Sequence, residues 1–325
     1  MSTTRVSVIV PVHRLTAHAR QCLENAVAVC GDRDEVIAVS DRPLEGLPAA
    51  VRVQATGSTR DTSPAEKRDV ATDVARGEFL AYLDDDAYPA PDWIERALER
   101  FASNPSIVAV GGPGVTPPAS GLRERVGGAF YESPFGSGAL RHRFTPLGEV
   151  RESDDLPAYN FFVRAEVLKR IGGWASRFYG GEDTKLCLTL VRAGHRIVYD
   201  PAVLVYHHRR PIFRPHMRQV ANVGRHRGFF IRAYPETSRR PIYFVPSAML
   251  VATPLLLAWA ARRRGRTLAV AALSAAGAGA VSASALRDGA DPAVAALLPL
   301  ALAAGHGAYG AGFLRGLLTR EIESM

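Results

Sequence analysis

The stretch Gly77-Glu-Phe-Leu-Ala-Tyr-Leu-Asp-Asp-Asp-Ala-Tyr-Pro-Ala-Pro-Asp-Trp93 decides how this chain is read. Phe79 to Leu83 is apolar and aromatic and is bounded by Gly77 and an acidic cluster, which predicts a buried strand. Asp84, Asp85 and Asp86 then stand where that strand leaves its sheet. In open α/β sheets ligands bind outside the carboxyl ends of the strands, so these acids face an expected ligand crevice. Three adjacent carboxylates repel one another unless a cation holds them, and hard oxygen ligands suit Mg2+ or Mn2+ bound together with substrate phosphates. The competing reading is a solvated acidic turn before a helix that starts near Pro91 and Asp92, where first-turn acids are favourable anyway.

Upstream of this stretch, Ala65 to Arg76 reads as a helix carrying Lys67, Arg68 and Asp69, and Gly57, Ser58, Asp61 and Pro64 mark the loop before it. Val51 to Val53 is a weak strand, and Glu35 to Val39 is a stronger one ending at Ser40 and Asp41. Val6 to Val12 is a strand-like run broken by Pro11, and a helix follows from Thr16 to about Val29. Downstream, Trp93 to Phe101 is a helix and Ile107 to Val110 a strand. Short strands alternating with helices are the pattern of a largely parallel sheet, so this half is an α/β fold of nucleotide-binding type.

From Gly111 to Asp155 glycines and prolines are dense and periodicity is lost, which predicts long loops that face an acceptor. Order returns with a strand at Tyr159 to Val163 and a helix from Ala165 to about Ile171. In Gly180 to Gly194, Leu186 and Leu190 give a helix an apolar stripe and Gly194 stops it. Glu182 and Asp183 therefore lie at the helix start. A carboxylate there can cap the helix or act as a general base toward an acceptor hydroxyl. Ile197 to Tyr199 and Val203 to Tyr206 are two more strands, the second ending in His207 and His208. His207 is either a polar rim residue or a nitrogen ligand beside a carboxylate metal site.

A chain of 325 residues allows about two domains, and 47% hydrophobic content is ample for a core. Cys22, Cys30 and Cys187 show no metal-type spacing, and the odd count speaks against a disulfide framework. The first apolar run is too short for a signal peptide, which predicts that the N-terminal half stays in the cytoplasm. The formal charge of +8 resides in one segment, since Arg209 to Arg240 holds nine Arg against one Glu and the remaining basic and acidic residues cancel. Such patches bind nucleic acid or anionic membranes. Long uncharged apolar stretches follow, and no zinc, helix-turn-helix or aromatic RNA-binding signature is present, so the membrane is expected and nucleic acid is not.

Four pieces, VSVIVPVHR, EVIAVSD, PAEKRDVATDVARGEFLAYLDDDAYPAPDW and GGWASRFYGGEDTKLCLTLVRAGHRIVYDPAVLVYHH, spanning residues 6 to 208, resemble in order and spacing the inverting family 2 glycosyltransferases. The resemblance implies a GT-A fold, a Rossmann-like mixed sheet, and transfer of a sugar from a nucleotide-diphosphate sugar donor to a hydroxyl acceptor with inversion. It implies that Pro11 and Val12 line the nucleotide pocket, that Asp41 contacts base or ribose, and that Arg68 lies near the donor. Asp84 and Asp86 take the ends of a DxD-like motif, with Asp86 toward the metal and Asp84 or Asp85 toward ribose or sugar hydroxyls. Asp183 resembles the catalytic base, with Glu182 orienting the acceptor, and His207 resembles the histidine near metal or diphosphate. Ser40 departs from the acidic pair common after the second strand. No QxxRW motif is present, Gln219 to Val223 being the nearest stretch, which points to single additions rather than polymerisation.

Ile242 to Ala261, Thr267 to Leu286 and Pro292 to Leu314 are stretches of 20, 20 and 23 residues without Asp, Glu, Lys or Arg, the length that crosses a bilayer. The expected organisation is a catalytic domain at 1–208, a basic juxtamembrane segment at 209–240 and membrane helices at 241–325. Cytoplasmic placement of the loop Arg262 to Arg266 and of Arg315 and Arg320 favours two spans, the second and third stretches, with the first re-entrant or interfacial. The catalytic face would then lie on the cytoplasmic side of the cell membrane, near a lipid-linked or glycan acceptor. The competing functions are a sugar-phosphate nucleotidyltransferase, whose glycine-rich loop is missing after the first strand, and a membrane scaffold with a degenerate transferase domain.

Overall fold

A computed structural model describes residues 5–176, 178 and 180–322, so Arg177 and Tyr179 of the fourth matching piece lie outside the described residues. In chain order the elements begin with β1 (Val6–Pro11), α1 (Ala17–Val29), β2 (Asp34–Ser40), β3 (Val51–Ala55), α2 (Pro64–Val74), β4 (Phe79–Tyr82) and β5 (Ala87–Pro89). Next come α3 (Trp93–Ser103), β6 (Ile107–Gly111), β7 (Gly114–Val115), α4 (Leu122–Glu132) and the one-turn α5 (Pro134–Ser137). They are followed by β8 (Arg151–Glu152), β9 (Phe161–Arg164), α6 (Ala165–Arg170), α7 (Glu182–Arg192), β10 (Arg196–Tyr199) and β11 (Val205–His207). The chain closes with α8 (Arg214–Ala233), α9 (Pro235–Ser238), α10 (Val245–Ala261), α11 (Arg264–Arg287) and α12 (Pro292–Leu318).

Two compact units result. One contains the described residues through Pro117 together with His142–His208, and the other contains Pro118–Arg141 together with Arg209–Ile322. The first is built on a sheet ordered β3-β2-β1-β4-β9-β6-β10-β8. β9 runs antiparallel to both β4 and β6, and β8 antiparallel to β10, so the sheet is mixed. Alternation along the strands loads both faces: Val6, Val8 and Val10 pack with Cys22 and Leu23 of α1 and Trp93 of α3. Ile9, Ile37, Leu80 and Tyr82 pack on the other face with Ala71 of α2, Trp174 and Leu186 of α7. Covering helices on both faces explain why these strands read as near-continuous apolar runs. A small second sheet, β5-β11-β7, stands at the carboxyl end of β4. Asn160 supports it by donating to the carbonyls of Pro113 and Val203 while accepting from Trp93 Nε1.

Helix starts follow local chemistry. Thr16 caps α1 through the amide of Ala19, and Ser63 and Glu66 form a reciprocal capping box before Pro64 opens α2. The stretch from Gly111 to Asp155, expected as long loops, contains the three-turn helix α4. Its glycines mark packing rather than looseness, because a Cβ on Gly127 would lie 2.9 Å from the carbonyl oxygen of Arg210. Pro118–Arg141, inside the range 1–208, accordingly packs with the C-terminal unit. In that unit α11 and α12 are long and apolar enough to cross a membrane by length and composition, whereas α10 is shorter. Cys22 and Cys187 are buried and Cys30 half-buried, all as free thiols.

Candidate active site

β4 delivers the acidic run to the end of the sheet. Leu83 still donates to Ile9 as a continuation of the ladder, and the chain then turns, with the Ala87 amide bonded to the Asp84 carbonyl. β5 leaves this turn and pairs antiparallel with β11, which sets His207 opposite Ala87. The pairing brings His207 Nε2 to 3.1 Å from Asp86 Oδ1. Asp84, Asp86 and His207 thereby offer ligand atoms that all lie within 4.8 Å of one another. Two carboxylates and an imidazole at this spacing suit a divalent cation in charge and donor type. Asp85 points back toward the end of β1, where its Oδ2 lies 3.4 Å from the His13 amide.

The second acidic cluster meets the first through one side chain. Arg68, in the second turn of α2 and 1% exposed, donates to Asp84 Oδ1 at 2.6 Å and to Glu182 Oε1 at 3.1 Å. Its guanidinium also stacks over Trp174, 4.5 Å from the ring centroid. Burial disfavours the Arg68 charge, but Asp84, Glu182 and Asp183 outweigh that and hold its pKa above the ordinary value. Burial pushes the Asp84 carboxyl upward, with Arg68 pulling it down and Asp86 adding to the rise. Glu182 is 7% exposed and its other oxygen accepts from the Gly180 amide at 2.9 Å. Asp183 is half-buried at the start of α7 and accepts from the Thr184 amide at 2.7 Å.

Three consecutive residues of α2 tie three loops together. Lys67, buried beside Arg68, donates to Asp41 Oδ2 at 2.5 Å. Asp41 also accepts from Thr56 Oγ1 and from the amide and hydroxyl of Thr62. Burial raises the Asp41 pKa, but these four donors prevail and hold it well below the usual carboxylate range. Asp69 accepts from the amides of Trp174 and Ala175 at 2.7 and 3.1 Å, fixing the loop that leads to Glu182. Sequence reasoning assigned a role only to Arg68; Lys67, Asp69 and Trp174 were missed. The signal available was the unbroken Lys-Arg-Asp triplet on a helix facing two acidic clusters. Pro11 is the last residue of β1 and Val12 follows it; both are buried, Val12 within the core, and the Val12 amide is bonded to the Val39 carbonyl. His208 was likewise unassigned. It stacks on His18 at 3.8 Å between centroids, and its Nε2 lies 2.8 Å from Gln21 Oε1.

A family model described as glycosyl transferase family 2 matches residues 7–172, just over half of the chain. The chain belongs to glycosyl transferase family 2. Among curated relatives, a pre-mycofactocin glycosyltransferase of Mycobacterium tuberculosis is 25% identical over 260 residues, 78% of this chain and 52% of that protein. A glucosyl-dolichyl phosphate glucuronosyltransferase of Haloferax volcanii is 25% identical over 210 residues, covering 60% of this chain and 62% of that one. The family 2 chain thus spans between half and two thirds of the length of these relatives. A mannosyltransferase from Pyrobaculum calidifontis, solved in complex with GDP-mannose and Mn2+, superposes with a TM-score of 0.59 at 22% identity, over 94% of this chain and 86% of that one. The mixed sheet is of the GT-A type, as the sequence resemblance implied.

Proposed function

We propose that this family 2 protein transfers a sugar from a nucleotide-diphosphate sugar to a hydroxyl of a lipid-linked or other envelope glycan acceptor, with inversion at the anomeric carbon. The observation that carries the reading is the convergence, through Arg68, of the Asp84–Asp86–His207 group and the Glu182–Asp183 turn, two regions about a hundred positions apart. In the proposed step the acceptor oxygen bonds to the anomeric carbon as the bond from that carbon to the diphosphate oxygen breaks. The acceptor hydroxyl proton passes to Asp183, the half-buried carboxylate at the start of α7, while Glu182 holds Arg68 and the Gly180 amide. Inversion needs one base on the face opposite the leaving group, so one carboxylate suffices.

A divalent cation held by Asp84, Asp86 and His207 would supply charge stabilisation for the leaving diphosphate. Arg68 fixes Asp84 and Glu182 relative to each other, and the Lys67–Asp41 pair fixes the loop after β2, where the resemblance places the nucleoside. The lipid-linked acceptor class is supported by the basic helix α8, by the apolar C-terminal helices and by the name of the Haloferax relative. These same features support association with the cytoplasmic face of the cell membrane. The test is a screen of UDP-, GDP- and dTDP-sugars by thermal shift with Mn2+ and with Mg2+, followed by transfer assays on the donor that stabilises. Transfer to a polyprenyl-phosphate glycan is the expected result. Absence of turnover with every donor would favour a scaffold instead.

A further inference from the structure

Of the three apolar C-terminal helices, α12 is packed against α4 and α8 along one face, with 39% of its apolar window buried against 6% for α11. Arg125 of α4 pairs with Asp291 at its start, and Phe130 packs with Leu298 and Leu302. Farther along, α8 lies backbone to backbone against it: a Cβ on Gly312 would meet the Ala221 carbonyl at 2.0 Å, and one on Gly316 the Arg225 carbonyl at 2.0 Å. The reciprocal glycines, Gly224 and Gly228, face the carbonyls of Tyr309 and Phe313 at 2.3 and 2.1 Å. Arg232 of α8 reaches the carbonyl of Thr319 at the far end. If α12 crossed a bilayer, α8 would have to enter with it, carrying Arg214, Arg218, Arg225, Arg227 and Arg232. Arginines at that depth are costly and need partners there.

α10 and α11 present the opposite picture. Leu255, Leu268 and Leu273 are 68%, 61% and 73% exposed, and neither Val245–Ala261 nor Thr267–Leu286 carries a charged residue. Their 17 and 24 residues correspond to about 26 and 36 Å, bracketing a hydrocarbon core of about 30 Å. Among the described residues each bonds to α12 at its foot: Ser247 to the Gly310 carbonyl and Ser282 to the Ala295 carbonyl. The two helices meet at the other end, where Thr267 bonds to the Ala260 carbonyl. That apex carries Arg262, Arg263, Arg264 and Arg266, with Arg266 stacked 4.3 Å over Trp259. Arginines and a tryptophan capping an apolar hairpin fit a headgroup layer.

We propose that α10 and α11 cross an anionic bilayer as a hairpin with the arginine apex in the far headgroups, and that α12 lies along the near surface without crossing. The proposal rests on the reading of this region as membrane-associated and revises which helices enter. Only α10 and α11 enter, so both ends of the hairpin lie on one side. Within twenty residues of the hairpin, the near side holds Arg225, Arg227, Arg232, Arg239, Arg240 and Arg287, six against the four of the apex. This balance places the chain ends in the cytoplasm.

The test uses the full chain in phosphatidylcholine vesicles containing phosphatidylglycerol, with acyl chains brominated at shallow or at deep carbons. In a Trp259→Phe background, single tryptophans replace the exposed Leu255, Leu273, Leu300 and Leu318. Retained sugar transfer, or a retained donor-induced thermal shift, certifies folding, and Trp93 and Trp174 give a constant buried background. Expected is strongest quenching by deep bromines for Leu255→Trp and Leu273→Trp, with Leu300→Trp and Leu318→Trp alike and quenched only by shallow ones. Deep quenching of Leu300→Trp with shallow quenching of Leu318→Trp would mean that α12 crosses, which overturns the proposal and leaves the membrane reading intact. No quenching at any position, with or without a crosslinked dimer, overturns both. Gly265→Cys, whose side chain meets nothing within 4 Å, should be labelled by an impermeant maleimide from outside intact cells. Labelling only from the cytoplasmic face contradicts the crossing.

Discussion

Replacing Arg68 by methionine keeps an unbranched apolar stem and removes the guanidinium charge that joins the two acidic clusters. Arg68 is 1% exposed and serves Asp84 and Glu182 at once, so the substitution leaves Glu182, itself 7% exposed, without its cation. Breaking a buried pair by removing one partner costs about 3–5 kcal/mol, chiefly through the uncompensated charge left behind. For a unit of this size that corresponds to a fall in melting temperature of roughly 6–20 °C, read by scanning fluorimetry or by urea titration. The double variant Arg68→Met/Glu182→Gln discriminates the cause, because it removes the orphaned carboxylate as well as the guanidinium. It should regain about 1–3 kcal/mol relative to Arg68→Met alone. Simple additivity of the two single variants, or an unchanged melting temperature in Arg68→Met, would refute the reasoning.

Asp86→Ala removes one member of the Asp84–Asp86–His207 group and should abolish the Mn2+-dependent part of the donor-induced thermal shift while leaving the fold intact by circular dichroism. His216 of α8 is fully buried against Phe130 and Tyr131; burial first and Arg209 second lower its pKa from 6.5 to about 4. A histidine depressed in the folded state stabilises fully above its unfolded value and loses that contribution as pH falls. Stability should therefore decline between about pH 6.5 and pH 4, by up to about 3 kcal/mol from this group, and His216→Phe should flatten that part of a urea-midpoint-versus-pH curve. An unchanged slope in His216→Phe would remove the histidine from the acid response.

Much of the first unit could be read from local pattern. The apolar runs at Val6, Glu35 and Phe79 became β1, β2 and β4 because strands covered by helices on both sides announce themselves as continuous hydrophobic segments. The acidic turn after β4 and the acidic start of α7 were equally visible. What joins them was not, because the meeting of Arg68 with residues 16 and 114 positions away depends on the order of strands in the sheet. Asp41 shows a related limit: its position after β2 was legible, but its capture by Lys67, Thr56 and Thr62 depends on how α2 docks. In the C-terminal third, composition alone could not separate α12 from α11, since both are apolar and of similar length. The difference lies in Gly312 and Gly316, which let a basic helix approach one of them and not the other.

The claim at the centre of the account is that one pocket divides its labour, with the turn after β4 serving the diphosphate and Asp183 taking the acceptor proton. Asp183→Asn keeps size and shape and removes only the base, so the direct measurement is donor affinity by calorimetry beside the rate of sugar transfer for this variant and the parent. The account predicts donor affinity equal to the parent and a transfer rate reduced about 10²–10⁴-fold. A variant that transfers sugar as fast as the parent would contradict it.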